Sequence, residues 1–248
     1  MAASPTRTVL RTEVRLFLRE PAALFWIVLF PALLVGGLGQ VPGYRDPEEG
    51  VDGVPVIALY VPVAILLAML LAAVSTMPVA LAGYREQLIL KRIATTPARP
   101  RDLLIAQYAI NGGAAVAGGA LAMLVVRIGY GTGLPGNAAA HLLALLLALA
   151  ATLAIGGLIS AVVPTARLAT TVGAILLFPL MFTAGVWLPV SAMPDLLGDI
   201  VSLTPLGAAA LALDAAGAGG WPALRDVAVL LAWTLGTGAI AARYFRWN

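Results

Sequence analysis

No cysteine occurs among the 248 residues. That excludes a disulfide framework, an iron–sulfur cluster and a thiol nucleophile. Charge is nearly as scarce. Asp, Glu, Lys and Arg make up 11% of the chain, against about 25% in a soluble domain. Lys91 is the single lysine and His141 the single histidine, and one histidine cannot build a metal site. A GxxxxGK[ST] phosphate loop is also missing, so the chain does not hold a nucleotide in that manner.

What fills the chain is apolar. Hydrophobic residues reach 61% and the mean hydropathy is +0.97. A globule of this size cannot hide so much apolar surface in its own core, so lipid must cover part of it. The net charge of +3 does not point to nucleic acid. The positive residues flank apolar runs, as charges do at a membrane surface. Abundant Ala and Gly, with Arg replacing Lys, suggest a GC-rich bacterial genome on composition alone.

Five uncharged runs are long enough to span: 22–41, 56–82, 103–126, 142–163 and 168–190. A sixth, 227–242, reaches full length with Trp221 and Arg225 at the interface. About 20 residues at 1.5 Å rise cross the hydrocarbon core. No strand alternation runs through these segments, so helices are expected. The first run is too long for a signal-peptide core and reads as a retained span. Residues 194–213 hold Asp195, Asp199 and Pro205, and so read as a seventh span or as a re-entrant hairpin.

Charge placement decides between these. With the amino end inside, the inner segments hold 12 of the 15 basic residues, leaving Arg45, Arg127 and Arg225 outside. A seventh span would move Arg243 and Arg246 outside, against the positive-inside rule. The expected fold is therefore all-α and polytopic, one transmembrane domain over 1–248. It has six transmembrane helices and an external re-entrant hairpin before the last. Both termini face the cytoplasm.

Arg7, Arg11, Arg15 and Arg19 stand four residues apart, on one helical stripe. Val9, Leu10, Val14, Phe17 and Leu18 face away from it. This predicts an amphipathic interfacial helix over 5–20, opened by Pro5 and broken from the first span by Pro21.

The five clearest spans contain no Asp, Glu, Lys, Arg or His. Ion-coupled transporters rely on such groups at membrane depth, and intramembrane hydrolases on a nucleophile or metal. No catalytic, cofactor or metal residue is expected, and the energy for any transport must come from a partner. His141 reads as an interfacial side chain at the outer edge of the fourth span.

The longest charged inner loop runs from Gly83 to Asp102. Arg85, Glu86, Leu88, Leu90, Lys91 and Ile93 suit a short two-faced helix, stopped by Pro97 and Pro100. Such a helix over 84–97 would dock a soluble partner, though the loop also serves as a plain positive anchor. Arg85-Glu86, Leu90-Lys91-Arg92 and Thr96-Pro97 resemble the coupling region of bacterial type-2 ABC exporter permeases, the daunorubicin-resistance-type membrane subunits. That family usually carries glycine–threonine where this chain has Leu88-Ile89. A second stretch, Phe178–Pro189 followed by Met193-Pro194 and Leu203–Leu206, is similar to the same family, which often has asparagine at the place of Thr204. Pro179 would kink the fifth span, and Gly185 would be a point of close approach. Gly112, Gly113, Gly118 and Gly119 give the third span small-residue spacing for helix packing.

The resemblance implies the membrane subunit of an exporter, itself not an enzyme. A second permease copy, identical or related, would pair with it. Cytosolic ATPase subunits would carry ATP-Mg and dock on Arg85, Glu86, Leu90, Lys91, Arg92, Thr96 and Pro97. Phe178, Met181, Phe182, Gly185 and Trp187 would line the substrate path or the dimer interface. The substrate is expected to be a drug, antibiotic or lipid-like amphiphile leaving across the cytoplasmic membrane. A lipid-linked glycan exporter and a non-transporting scaffold or sensor are the alternatives.

Overall fold

The structure, a computed structural model, describes residues 5–46, 48, 50, 53–89 and 100–244. Among them helices alone form the architecture, with no β-strand. In chain order these are α1 (Pro5–Phe17), α2 (Pro21–Leu38), α3 (Val56–Glu86), α4 (Pro100–Tyr130), α5 (Ala138–Val162), α6 (Ala166–Thr183), α7 (Asp195–Ser202), α8 (Pro205–Gly217) and α9 (Leu224–Tyr244). Six of them, α2 to α6 and α9, are long and apolar enough to cross a bilayer.

Local chemistry sets the helix starts. Asn137 accepts from the Ala140 amide at 3.0 Å and Thr165 from the Leu168 amide at 3.2 Å, each capping a first turn. Thr204 does the same for α8, accepting from the Gly207 amide at 3.1 Å with Pro205 at the first helical position. Threonine thus keeps the cap that asparagine would supply.

Hydrophobicity places α3 in the middle. It is apolar on every face until its last turn, and a helix apolar all round is stable only when covered all round. Its most apolar window is 78% buried, against 11% in α6 and 17% in α9, which lie at the periphery.

Two prolines shape the packing. Pro31 and Pro78 have no amide hydrogen, so the Ile27 and Val74 carbonyls lose their helical donors. Each proline follows a π-helical stretch, Phe25–Leu29 and Leu71–Thr76. Glycines of neighbouring helices meet this irregular backbone. A β-carbon on Gly118 of α4 would lie 2.2 Å from the Ile27 oxygen. One on Gly173 of α6 would lie 2.9 Å from the Val74 oxygen, and one on Gly156 of α5 2.2 Å from the Ala73 oxygen. Only glycine lets the backbones approach so closely.

The α7–α8 pair is re-entrant. The two helices meet at a bend of 104°. Asp199 of α7 pairs with Arg225, at the start of α9, at 3.6 Å. The far end of α8 returns to the same level: the Gly136 and Asn137 amides donate to the Gly217 and Ala216 carbonyls at 3.0 and 3.1 Å. Between them the turn dips inward. Trp233 Nε1 donates to the Leu203 carbonyl at 3.0 Å, and Trp233 lies nine residues into α9, roughly 13 Å along its axis. The hairpin therefore enters and leaves at one end of the bundle. It extends to Gly217, four residues beyond its expected limit.

The fifth crossing helix is shorter than expected. The apolar run continues to Val190, but α6 stops at Thr183. Gly185 adopts φ +86°, and the Gly185 and Val186 amides donate back to the Phe182 and Met181 carbonyls at 3.0 and 3.1 Å. This pair of bonds closes a helix around a left-handed glycine. Gly185 is a terminator, not a contact point within a longer span.

Candidate functional site

The end of the bundle that carries α1 gathers an unusual set of polar side chains. Glu13 is only 8% exposed. Its Oε2 accepts from the Tyr84 hydroxyl at 2.6 Å and from Gln107 Nε2 at 2.7 Å. Gln107 in turn accepts from Asn111 Nδ2, through its carbonyl at 2.9 Å and its side-chain oxygen at 3.2 Å. Nearby, Thr6 donates to Asp102 at 2.9 Å. These bonds tie α1 to the last turn of α3 and the first turns of α4. Burial raises the Glu13 carboxyl above its ordinary range, and the bonds from Tyr84 and Gln107 only partly oppose this.

Arg7, Arg11, Arg15 and Arg19 are exposed, as their stripe requires, while Val9, Leu10 and Phe17 are half-buried. Val14 and Leu18 remain exposed. The residue that sequence reasoning missed is Glu13. It stands four residues from both Val9 and Phe17, in the middle of the apolar face. An acid placed there signals a buried polar partner.

Arg85 follows Tyr84 and points elsewhere. Its guanidinium donates to the Val163 carbonyl at 2.9 Å and the Ser160 carbonyl at 3.0 Å. The last carbonyls of a helix have no intrahelical donor, and a cation there meets the negative end of the dipole. Arg85 therefore closes α5 and locks the end of α3 against it. Glu86 is exposed.

Tyr84, Arg85 and Glu86 belong to α3, and a turn follows at Gln87 and Leu88. Leu88 takes φ +56°, a conformation natural to glycine. The related permeases' glycine at this place would adopt it without steric cost. Leu90, Lys91, Arg92, Thr96 and Pro97 lie outside the described residues.

The second group of expected residues divides. Phe178 and Trp187 stack, with ring centroids 5.8 Å apart and planes 20° apart. Both are exposed, as is Phe182. Met181 packs against the core, and Gly185 is buried in the turn. The structure therefore brings together Phe178, Phe182 and Trp187 near the end of α6 and turns the other two inward.

The family model for ABC-2 type transporters matches residues 5–214, from α1 through most of the hairpin. The chain belongs to the ABC-2 type transporter family. No curated protein matches it significantly. As an ABC-2 permease it is a transmembrane subunit of an ABC transporter, embedded in the membrane and working with ABC ATPase subunits. The Glu13 cluster and the Arg85 clamp both lie within the matched ABC-2 region, whereas α9 lies beyond it.

Proposed function

We propose that this permease is the membrane half of an ATP-driven exporter that moves a drug, antibiotic or lipid-like amphiphile out of a bacterial cell. Both termini and the 84–97 segment face the cytoplasm. Two permease copies, identical or related, pair, and cytosolic ATPase subunits carrying ATP-Mg dock on that segment. The observation that carries this reading is how the root of the segment is held. Tyr84 is bonded to α1 and Arg85 to the end of α5, so a push there moves several helices together. The absence of charge from the five clearest runs supports an external energy source. The exposed Phe178, Phe182 and Trp187 suit the substrate path or the pairing surface. Met181 and Gly185 would act behind them, as packing and as a helix stop.

The test is transport in proteoliposomes holding the chain and a co-purified ATPase subunit. ATP should drive movement of a fluorescent amphiphile, and Arg85→Ala should uncouple it while the complex still co-purifies. Transport driven by a proton gradient without ATP would overturn the proposal. A cysteine replacing Asp199 should label from outside the cell only, and labelling only from the cytoplasm would reverse the orientation.

A further inference from the structure

At the end of the bundle opposite α1 lies a cavity of about 470 Å³. It sits between the start of α3, the loop at 132–135, the start of α5 and the last turns of α8. Its volume falls in the range of small-molecule sites, about 300–1,000 Å³. Leu59, Pro62, Met123, Leu134 and Leu213 give it apolar walls.

Among the described residues, two ionisable side chains share this lining, Asp214 and His141, and no lysine or arginine does. Asp214 stands near the end of α8, which is fastened to Gly136 and Asn137 by backbone bonds. His141 begins one turn after Asn137, on α5. Both ring nitrogens of His141 are shielded from solvent, and neither has a hydrogen-bond partner among the described residues. His141 therefore forms part of the cavity wall in the first turn of α5. Among the described residues no ion pair includes Asp214, the pair at this end being Arg225 with Asp199.

Shielded polar groups are costly unless something bonds to them. The ligand that answers this lining must be apolar over most of its surface, carry positive charge and donate hydrogen bonds. An anion would meet the Asp214 carboxylate without a compensating cation in the wall. A neutral hydrocarbon would leave the shielded imidazole unbonded and lay apolar surface against the Asp214 carboxyl. A primary ammonium offers three donors and a charge, and an apolar body fills the remaining space.

We propose that this cavity is a binding site for an organic amine with an apolar body, anchored on Asp214 and contacted by His141. The site lies on one chain and is separate from the aromatic surface near the end of α6. Its occupancy is read without ATP or ATPase, so its failure and the failure of ATP-driven export are distinguishable.

The experiment measures binding of tritiated 1-adamantylamine to the purified chain in nanodiscs of zwitterionic lipid, with empty nanodiscs subtracted. Saturable binding is expected, displaced by unlabelled 1-adamantylamine and not by 1-adamantanol at the same concentration. Asp214→Asn should weaken it by about tenfold or more, the scale of losing one charged partner. Asp199→Asn, on the neighbouring helix of the hairpin, should leave it unchanged. Where Asp214→Asn does not elute as a folded species, His141→Ala supplies the reading, with weaker amine binding expected. Equal affinity of a folded Asp214→Asn chain, equal affinity of His141→Ala when it is the only folded variant, displacement by the alcohol, or no saturable binding would each overturn the proposal.

Discussion

The Tyr84 hydroxyl donates a 2.6 Å hydrogen bond to the buried Glu13 carboxylate, while the next residue, Arg85, bonds the last carbonyls of α5. Successive side chains on a helix point about 100° apart, so one turn of α3 reaches two different neighbours. Gln107 brings in α4 at the same carboxylate. The place where α3 leaves the bundle is thus a junction of α1, α3, α4 and α5. In a permease that works with ABC ATPase subunits, such a junction can pass a displacement into the bundle as a unit.

Glu13 holds that junction as the shared acceptor. Glu13→Ala would leave the Tyr84 hydroxyl and the Gln107 amide without it, and each unsatisfied buried group costs about 1–3 kcal/mol. The expected result is a lower melting temperature in detergent and faster proteolysis between α1 and α2. Glu13→Gln keeps an acceptor oxygen and should fall between the variant and wild type. Wild-type melting and protease resistance in Glu13→Ala would show that the cluster does not hold α1.

The same carboxyl makes the attachment sensitive to pH. Burial raises its folded-state pKa above the ordinary 4.5. The folded form therefore binds the proton more tightly than the unfolded form. Its contribution to stability is full below the unfolded value and is lost as pH rises through the raised folded value. A nitroxide at Arg15→Cys, in a chain without native cysteine, reports the mobility of α1. Mobility should increase over that window in wild type and stay flat in Glu13→Gln. An identical profile in both would remove Glu13 as the cause.

The crossing helices were legible because a bilayer demands long uncharged runs and places charge at their ends. The hairpin was legible from Asp195, Asp199 and Pro205, since charge and proline interrupt an apolar stretch. Its extension to Gly217 was not, because Ala215–Gly217 resemble a loop until paired with Gly136 and Asn137. The end of α6 was hidden within an apolar run that continues past it, with Gly185 as the one local sign. Glu13 was visible on the apolar face but eclipsed by the arginine stripe opposite. Arg85 could not be assigned to the end of α5, because that contact joins residues about 75 positions apart. Pro31 and Pro78 were equally visible in the sequence. Which glycines would meet the nearby backbone depends on which helices are neighbours, and no local pattern records that.

Gly118 and Gly113 separate packing from composition. Both lie in the small-residue stretch of α4, yet a β-carbon on Gly118 meets backbone at 2.2 Å while one on Gly113 meets nothing within 4 Å. Gly118→Ala must push α2 away from α4, and overpacking of this kind costs about 1–3 kcal/mol. Gly113→Ala meets open space and should lose nothing, since alanine is the better helix former. Thermal shift of the two purified variants measures the difference. Equal melting temperatures would mean that the approach of α4 to Ile27 does not limit stability.

Leu88 gives the opposite case, a position where glycine should help. Its φ of +56° brings the β-carbon against the backbone, at a cost of roughly 1–2 kcal/mol for an L-residue. The side chain is 51% exposed, so little burial is lost on removing it. Glycine relieves the strain but gives the unfolded chain more freedom, which offsets part of the gain. Leu88→Gly should therefore be neutral or more stable by up to about 1 kcal/mol. Leu88→Val should be less stable than wild type, because a branched β-carbon fits this region worse. The ordering of melting temperatures, Gly at or above Leu and Leu above Val, is the measurement. A valine variant as stable as the glycine one would mean that the turn after α3 does not hold this conformation, and that the root of the segment leaves the bundle by another path.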